Sequence, residues 1–329
     1  MSRPRYIVWL ITAKCNLDCR HCYVKERPWR RELVTEEALR LVSKLADLGV
    51  VAVNFTGGEP LLRKDLFEII DCALDHGISV SIFSNLMIMN DKIARELERR
   101  DVYVLTSIDG SNPRVHDYIR GNETWKKVIE GIKVLKKRNI SVHTSFTITK
   151  HNYFDIAGYV ELAADLNVDY ISCIPVIPST KRAREAMPDY HQVREALISF
   201  EEKAFELSVD ASVWCAPFAK LYLRGYVHVG TCPTLTMVDI SPSGDLLLCD
   251  TLDIIVGNFL EENFEELKEK YLRYVDDILA SIPSKCKSCN VNYVCKGGCF
   301  ARRYLLKKEN FPDVLCPLSL NSESYSLDN

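Results

Sequence analysis

Glutamine is all but missing from this chain. One, Gln192, stands among 329 residues that include 42 Lys and Arg and 45 Asp and Glu, a composition associated with heat-adapted proteins. Long apolar runs are missing too. None approaches the roughly 18 residues of a membrane-spanning helix, and no apolar stretch with a small-residue cleavage site opens the chain. The expectation is a cytoplasmic protein with no membrane partner. Positive charge is not in excess, the formal net charge being −3, which argues against wrapping nucleic acid. There is no internal repeat and no low-complexity linker. Cysteine, by contrast, is abundant, with 13 residues. In a reducing compartment that number points to metal or redox chemistry rather than a disulfide framework. Hydrophobic residues at 47% suffice for a sizeable core, and the length fits one large domain with a smaller one.

Strand and helix patterns alternate through the first half. Tyr6 to Thr12 is an apolar, β-branched and aromatic run of strand length. Ala38, Leu41, Val42, Leu45 and Leu48 then share one helix face, with Thr35 as N-cap and Gly49 as stop. Further strands are expected at 50–55, 78–83, 102–108, 141–148 and 169–177. Helices are expected from 66 to near 77, and over 91–100, 124–138 and 153–166. Six strand–helix units with continuous apolar strands predict an α/β fold whose parallel sheet is covered by helices. Six units suit a partial β/α barrel better than a closed eight-stranded one, and the pattern alone leaves a flat doubly wound sheet open. Past Ile177 the regularity breaks into a proline-bearing loop at 177–188 and a helix at 190–207. Seven of the 13 cysteines lie beyond Tyr226. The chain divides on this pattern into 1–185, a helical bridge at 186–225, and a cysteine-rich unit at 226–329.

Cys15, Cys19 and Cys22, spaced C-x3-C-x2-C, leave the carboxyl end of the first strand, where α/β sheets bind ligands. Three thiolates on a short loop hold three irons of a [4Fe–4S] cubane and leave the fourth open to a ligand. A zinc loop is the simpler alternative, but zinc sites usually close four ligands with a second pair. After the second strand come Gly57, Gly58, Glu59 and Pro60. Two glycines permit close backbone approach, and the carboxylate can accept from an ammonium; an ordinary Gly-Pro turn fits the same residues. Ser84-Asn85 ends the third strand, and Ser107-Ile108-Asp109-Gly110 ends the fourth, where Asp-Gly also suits a tight turn. His116 to Gly121, with Arg120, falls in the loop that follows. Ile174, near the end of the sixth strand, suits the core. In the tail, Cys232 and Cys249 flank a hairpin pattern, 237–241 and 246–248 around Gly244. Cys286-x2-Cys289-x5-Cys295-x3-Cys299 then precedes Cys316. Seven thiolates exceed one cubane and nearly complete two, with a pair of zinc sites as the alternative. Cys72 and Cys173, on a helix and a strand pattern, read as packing.

Together these motifs resemble the radical S-adenosylmethionine (SAM) superfamily, and the tail resembles the SPASM domain of its maturases. The resemblance runs from Tyr6 to Cys316 and implies a partial (β/α)6 barrel with a C-terminal cysteine-rich iron–sulfur domain. It implies that the open iron at Cys15, Cys19 and Cys22 chelates the amino and carboxyl groups of SAM. One electron then splits SAM into methionine and a 5′-deoxyadenosyl radical that abstracts a substrate hydrogen. The SAM-binding residues it implies are His21 and Tyr23 on the loop, Gly57, Gly58 and Glu59 at the amino group, and Ser84 and Asn85 near the ribose. Ser107 and Asp109 follow at the carboxylate or ribose, Arg120 at the carboxylate and Ile174 beside the adenine. Leu86 departs from the family, which has glycine there.

The same resemblance implies two auxiliary iron–sulfur clusters, one on Cys286, Cys289, Cys295 and Cys316 and one on Cys232, Cys249 and Cys299. A further cysteine that some relatives carry about six residues before the position of Cys232 is missing here. The second cluster is therefore left with three thiolates and an open site, a nonprotein ligand, or Cys215 recruited from upstream; a smaller cluster is the other alternative. Asp250 matches an aspartate proposed as the proton-accepting base in sulfatase-maturating relatives, and a supporting role in its loop fits equally. The activity implied is oxidative modification of a peptide or protein side chain, with an external electron donor such as flavodoxin or ferredoxin. The stretch Phe55 to Arg63 also resembles enzymes that modify tetrapyrrole side chains on the way to haem. Five residues precede Tyr6, so a leader-binding module would come from a separate partner. A non-catalytic electron-transfer or scaffold protein is the rival of another class. It would need clusters or zinc but not three motifs on successive strand ends.

Overall fold

The computed structural model describes residues 3–27, 29 and 31–319. Its first half runs β1 (Tyr6–Thr12), α1 (Thr35–Asp47), β2 (Ala52–Gly57), α2 (Leu66–Asp75), β3 (Ser79–Phe83), α3 (Asp91–Glu98), β4 (Tyr103–Ser107), α4 (Pro113–Arg120), α5 (Thr124–Lys136), β5 (Val142–Ile148), α6 (Ile156–Asp165) and β6 (Tyr170–Pro175). Each of these strands pairs in parallel with the one before it, so all six carboxyl ends share one rim. Apolar side chains make the strands continuous. Trp9, Phe55, Ile82 and Phe146 are fully buried, and Trp9 meets Phe55 with ring centroids 5.6 Å apart, as expected for strands covered on both faces.

The chain continues with α7 (Lys181–Glu185), α8 (Tyr190–Glu206), β7 (Ala211–Val213) and β8 (His228–Val229). The lone glutamine has a structural post at the start of α8. Gln192 and Asp189 form a reciprocal capping box, each accepting from the other's backbone N–H, at 3.0 and 2.9 Å, which satisfies two otherwise orphaned donors. β7 adds in parallel to β6, and β8 to β7. The tail then supplies β9 (Met237–Ile240), β10 (Asp245–Leu247), β11 (Ile255–Asn258), α9 (Phe264–Ala280), α10 (Ser284–Lys287), α11 (Asn292–Cys295) and α12 (Phe300–Leu305). β9 lies parallel to β1 on the edge away from β2, and β10 and β11 extend it in antiparallel fashion. One open sheet results, ordered β11-β10-β9-β1-β2-β3-β4-β5-β6-β7-β8. The α/β architecture with a cysteine-rich tail is as expected.

Three local expectations change. Val34, not Thr35, caps α1, because the Thr35 hydroxyl is drawn to Asp65 at 2.8 Å. The stretch around Arg120 is helix α4 rather than loop, capped by Asn112, whose side chain accepts from the Val115 N–H, and opened by Pro113. That pairing of Asn cap and Pro at the first position is a helix start. A short helix, α7, interrupts the loop at 177–188, capped by Thr180. β7 and β8 are too short to show a period. Among the described residues no helix is long and apolar enough to cross a membrane.

Candidate active site on the strand rim

The loop that carries Cys15, Cys19 and Cys22 is clamped at its base by the segment after β2. Gly58 N donates to Thr12 O and Glu59 N to Lys14 O, both at 2.8 Å. A Cβ on Gly57 would sit 2.2 Å from Thr12 O, and one on Gly58 2.1 Å from Lys14 O. The two glycines therefore admit the chain's own backbone. Glu59 is fully buried. Its carboxylate accepts from Ser84 Oγ at 2.8 Å, Asn85 N at 2.7 Å and Leu61 N at 3.1 Å. Burial raises its pKa while these three donors pull it down. It ties the end of β3 to the loop, and Asn85 Nδ2 then reaches Asn16 at 2.7 Å and Cys15 Sγ at 3.7 Å. Leu86, in the family's glycine position, takes a left-handed backbone with φ 61° and packs on Gly131 of α5. Glu32, which the sequence reading missed, accepts from Thr12 Oγ1 and Ala13 N at 2.8 and 2.9 Å.

The far side of the loop meets β4 and α4. Asp109, fully buried, accepts from Arg120 Nε at 2.6 Å and Thr147 N at 2.7 Å. Its backbone N–H donates to His116 Nδ1, and its carbonyl accepts from Asn152 Nδ2 at 3.0 Å. His21 lies between, its Nε2 3.4 Å from Arg120 Nη2 and 3.8 Å from Asp109. Burial, helped by Arg120, lowers the His21 pKa to about 4, so the ring is neutral near pH 7. Burial opposes ionisation of Asp109, but Arg120 and the two imidazoles bring its pKa below the usual carboxylate value. Arg120 thus has one donor committed to Asp109. The loop also docks on the end of α4 through Arg20, which bonds Tyr118 O at 2.7 Å and stacks on its ring at 4.3 Å. Ser107 ends β4, nearly buried. Ile174 sits in β6 opposite Thr147 of β5, part of the same rim.

The tail cysteines gather into two sets. Cys286, Cys289, Cys295 and Cys316 line one small cavity together with Leu221, Asn292, Gly297 and Leu318. Burial pushes the Cys295 thiol up to about 12, while the Gly297 and Gly298 N–H groups pull against it. Cys286 and Cys316 are raised as well, chiefly by burial. Buried thiols of this kind ionise only when a metal displaces their protons, and four round one cavity fit a cubane. On the rim loop Cys22 lies close enough to Cys15 and Cys19 to help raise their pKa values, with Cys19 pushed to about 11 by burial first. Three thiols on one loop fit a cluster with one open iron. The remaining tail thiols, Cys232, Cys249 and Cys299, approach one another and Cys215.

Tyr23, one residue past Cys22, bridges rim and tail. Its hydroxyl donates to Asp250 Oδ2 at 2.7 Å. Arg27 Nη1 bonds the Asp250 carbonyl, its Nε pairs with Asp253 at 2.9 Å, and its guanidinium faces the Tyr23 ring. Asp250 N donates to Asp239 Oδ2 at 2.8 Å, and one ligand atom each from Asp239, Cys249 and Asp250 falls within 4.8 Å of the others. Burial, then Asp250, raises the Asp239 pKa well above the ordinary value. Sequence reasoning missed Asp239 and also the buried Arg302–Asp313 pair, 2.6 Å apart. Asp239 sits in an alternating strand pattern that hides it. The pair could have been suspected from charges set among the tail cysteines.

The Radical SAM superfamily pattern matches residues 9–166. The chain is 30% identical to the AdoMet-dependent heme synthase of Methanosarcina barkeri over 330 aligned positions, which cover 92% of this chain and 93% of that protein. It is 26% identical to the mycofactocin maturase MftC of Mycobacterium tuberculosis, covering 92% and 80%. In fold it is similar to Streptococcus suis SuiB bound to the precursor peptide SuiA, with a TM-score of 0.78 at 18% identity over 97% of this chain and 77% of that one. With the thiol loop, its glycine clamp and the two tail sets in place, the chain belongs to the radical SAM superfamily and is an oxidoreductase of that type, using a [4Fe–4S] cluster and SAM.

Proposed function

We propose that this enzyme oxidises a side chain of a peptide or protein, with substrate held between the rim loop and the Asp250 segment of the tail. The observation that carries this reading is the Tyr23–Asp250 hydrogen bond of 2.7 Å, which sets a carboxylate from the tail beside the loop of Cys15, Cys19 and Cys22. The cluster with SAM supplies, when bound, a reductively generated hydrogen-abstracting radical. Cys15, Cys19 and Cys22 hold the cluster. His21, Tyr23, Gly57, Gly58, Ser84, Asn85, Ser107, Asp109, Arg120 and Ile174 lie around SAM at the carboxyl ends of adjacent strands, and Glu59 acts through Ser84 and Asn85. The neutral His21 ring and the Asp109–Arg120 pair keep the loop shielded from water. Asp250 takes the substrate proton, oriented by Tyr23 and by its own N–H on Asp239. The tail thiols hold the auxiliary clusters. An external flavodoxin or ferredoxin supplies the electron in a reducing cytoplasm, in keeping with thirteen unpaired cysteines.

Support for a peptide comes from the peptide-bound SuiB fold and from MftC, a maturase by name. A second reading, a tetrapyrrole substrate, is favoured by the whole-length match to the M. barkeri heme synthase. Anaerobic reconstitution, reduction and addition of SAM test the enzyme itself: 5′-deoxyadenosine must form. Substrate class is then decided by which addition raises that yield and is itself oxidised. A peptide encoded beside this chain is the expected one. Turnover of an iron porphyrin with carboxylate side chains, and not of the peptide, would replace the first reading by the second.

A further inference from the structure

We infer that Cys215 is the fourth protein ligand of the auxiliary cluster on Cys232, Cys249 and Cys299, called the inner cluster below and the other the outer, so that this cluster is coordinatively closed. The inference deepens the reading that the tail holds two clusters. It chooses among the alternatives left by the missing cysteine before Cys232.

Topology brings Cys215 to the site. β7 and β8 are adjacent parallel strands, with Val213 opposite Val229 and Gly230 N bonded to Val213 O at 2.9 Å. Cys215 and Cys232 therefore leave the same end of neighbouring strands. The crossing is close: a Cβ on Gly230 would lie 2.4 Å from the Trp214 ring. The Cys215 thiol lies near those of Cys299, Cys232 and Cys249, and Arg302 and Asp313 join the Cys215 carbonyl to the Cys299 N–H. Four thiols thus converge, from the ends of β7, β8 and β10 and from the N-cap of α12.

The backbone there is built to hold that geometry. Cys215 has a left-handed φ of 54°, which a residue with a side chain adopts only when its surroundings impose it. What imposes it is Arg302, fully buried, whose Nη1 and Nη2 both donate to the Cys215 carbonyl, at 3.2 and 3.3 Å. Asp313, also fully buried, accepts from Arg302 at 2.6 Å and from the Cys299 N–H at 2.8 Å. One ion pair therefore fixes the backbones of Cys215 and Cys299 relative to each other. It also sets a buried cation beside thiols that become anionic on binding metal. Arg302 Nε is buried without an acceptor among the described residues, and an anionic, sulfur-rich group would provide one. Cys72 and Cys173 share none of this. Cys72 lies in α2 beside His76, and Cys173 is sealed inside β6. A closed inner cluster offers no free iron to a substrate donor atom, so the protein groups around Asp250 hold the substrate.

The test reads the metal rather than turnover. In a full-length C15A/C19A/C22A chain only tail clusters remain. After anaerobic reconstitution and reduction, added 2-mercaptoethanol should leave the electron paramagnetic resonance spectrum unchanged. With C215A added, the same thiol should shift one of the two cluster signals. A spectrum that already responds with Cys215 present overturns the inference. Alkylation of the unsubstituted, loaded protein avoids any folding defect of a variant. Cys215, which is half-buried, should label at least about tenfold more slowly than after iron is chelated out, as should Cys249, whereas Cys72 labels alike in both. Equal labelling of Cys215 in both states, with iron present, sinks the ligand assignment alone. A tail that binds no iron sinks the two-cluster reading beneath it.

Discussion

The two thiol sets of the tail are alike in number and unlike in origin. Cys286, Cys289, Cys295 and Cys316 come from one stretch of chain, folded as short helices round a single cavity. Cys215, Cys232, Cys249 and Cys299 come from three strand ends and a helix cap. The first set can form wherever its own segment is folded. The second exists only if the sheet is complete from β7 and β8 at one edge to β10 near the other. A local site reports on its own loop, and a dispersed one reports on the whole fold.

The largest effect expected is on activity. C15A/C19A/C22A should abolish 5′-deoxyadenosine formation while the tail keeps roughly eight irons per chain as two cubanes; an iron count near zero would show that neither set assembles without the rim. Gly230→Val comes next, since the added carbons must enter the Trp214 ring. It should cost the inner set its roughly four irons and leave the outer set loaded, as read by iron analysis and spectroscopy of the reduced protein. Equal loss from both sets would erase the distinction between them. Asp313→Ala should weaken both together, because Asp313 holds Cys299 N, Arg302 and, through its other oxygen, Leu315 N next to Cys316. Stranding a buried guanidinium costs about 3–5 kcal/mol, measurable by urea unfolding of the anaerobic protein. The smallest change is expected from Tyr23→Phe, which removes a hydrogen bond to a carboxylate worth about 1.5–3 kcal/mol. SAM cleavage should persist, with fewer product molecules formed per 5′-deoxyadenosine; an unchanged ratio would remove Asp250 from the substrate's path.

What was legible in the sequence follows the same division. Cys15, Cys19 and Cys22, the Gly57–Glu59 clamp and the strand ends at Ser84 and Ser107 are short-range patterns, and the structure brings them to one rim. The outer cysteines, grouped by resemblance, line one cavity. The parallel order of β1 to β6 followed from hydrophobic period and continuous apolar strands. What was hidden depends on distant parts meeting. Cys215 was one of several alternatives for the fourth ligand beside Cys299, and nothing near it in sequence selects it, because the link runs through Arg302 and Asp313. The glycines of the clamp carry the right signal and admit the backbone of Thr12 and Lys14. Arg120 meets the cysteine loop through His21, and its Nε is held by Asp109 at the end of β4, three strands from β1 in sheet order. β7 and β8 are too short for any period, and the pairing of β9 with β1 joins residues more than two hundred apart.

That last pairing has a consequence for how the chain is made. β1 leaves the ribosome before the strands it pairs with and finds one neighbour as soon as Ala52 to Gly57 has emerged. Its other edge stays bare until Met237 to Ile240 arrives. Through that interval Tyr6 to Trp9 is an apolar strand edge open to any other strand, and closing it means joining the most distant parts of the chain, a slow class of contact. The nascent enzyme is thus exposed to mispairing for most of its synthesis, and arrest or truncation before β9 should yield aggregates rather than a working barrel.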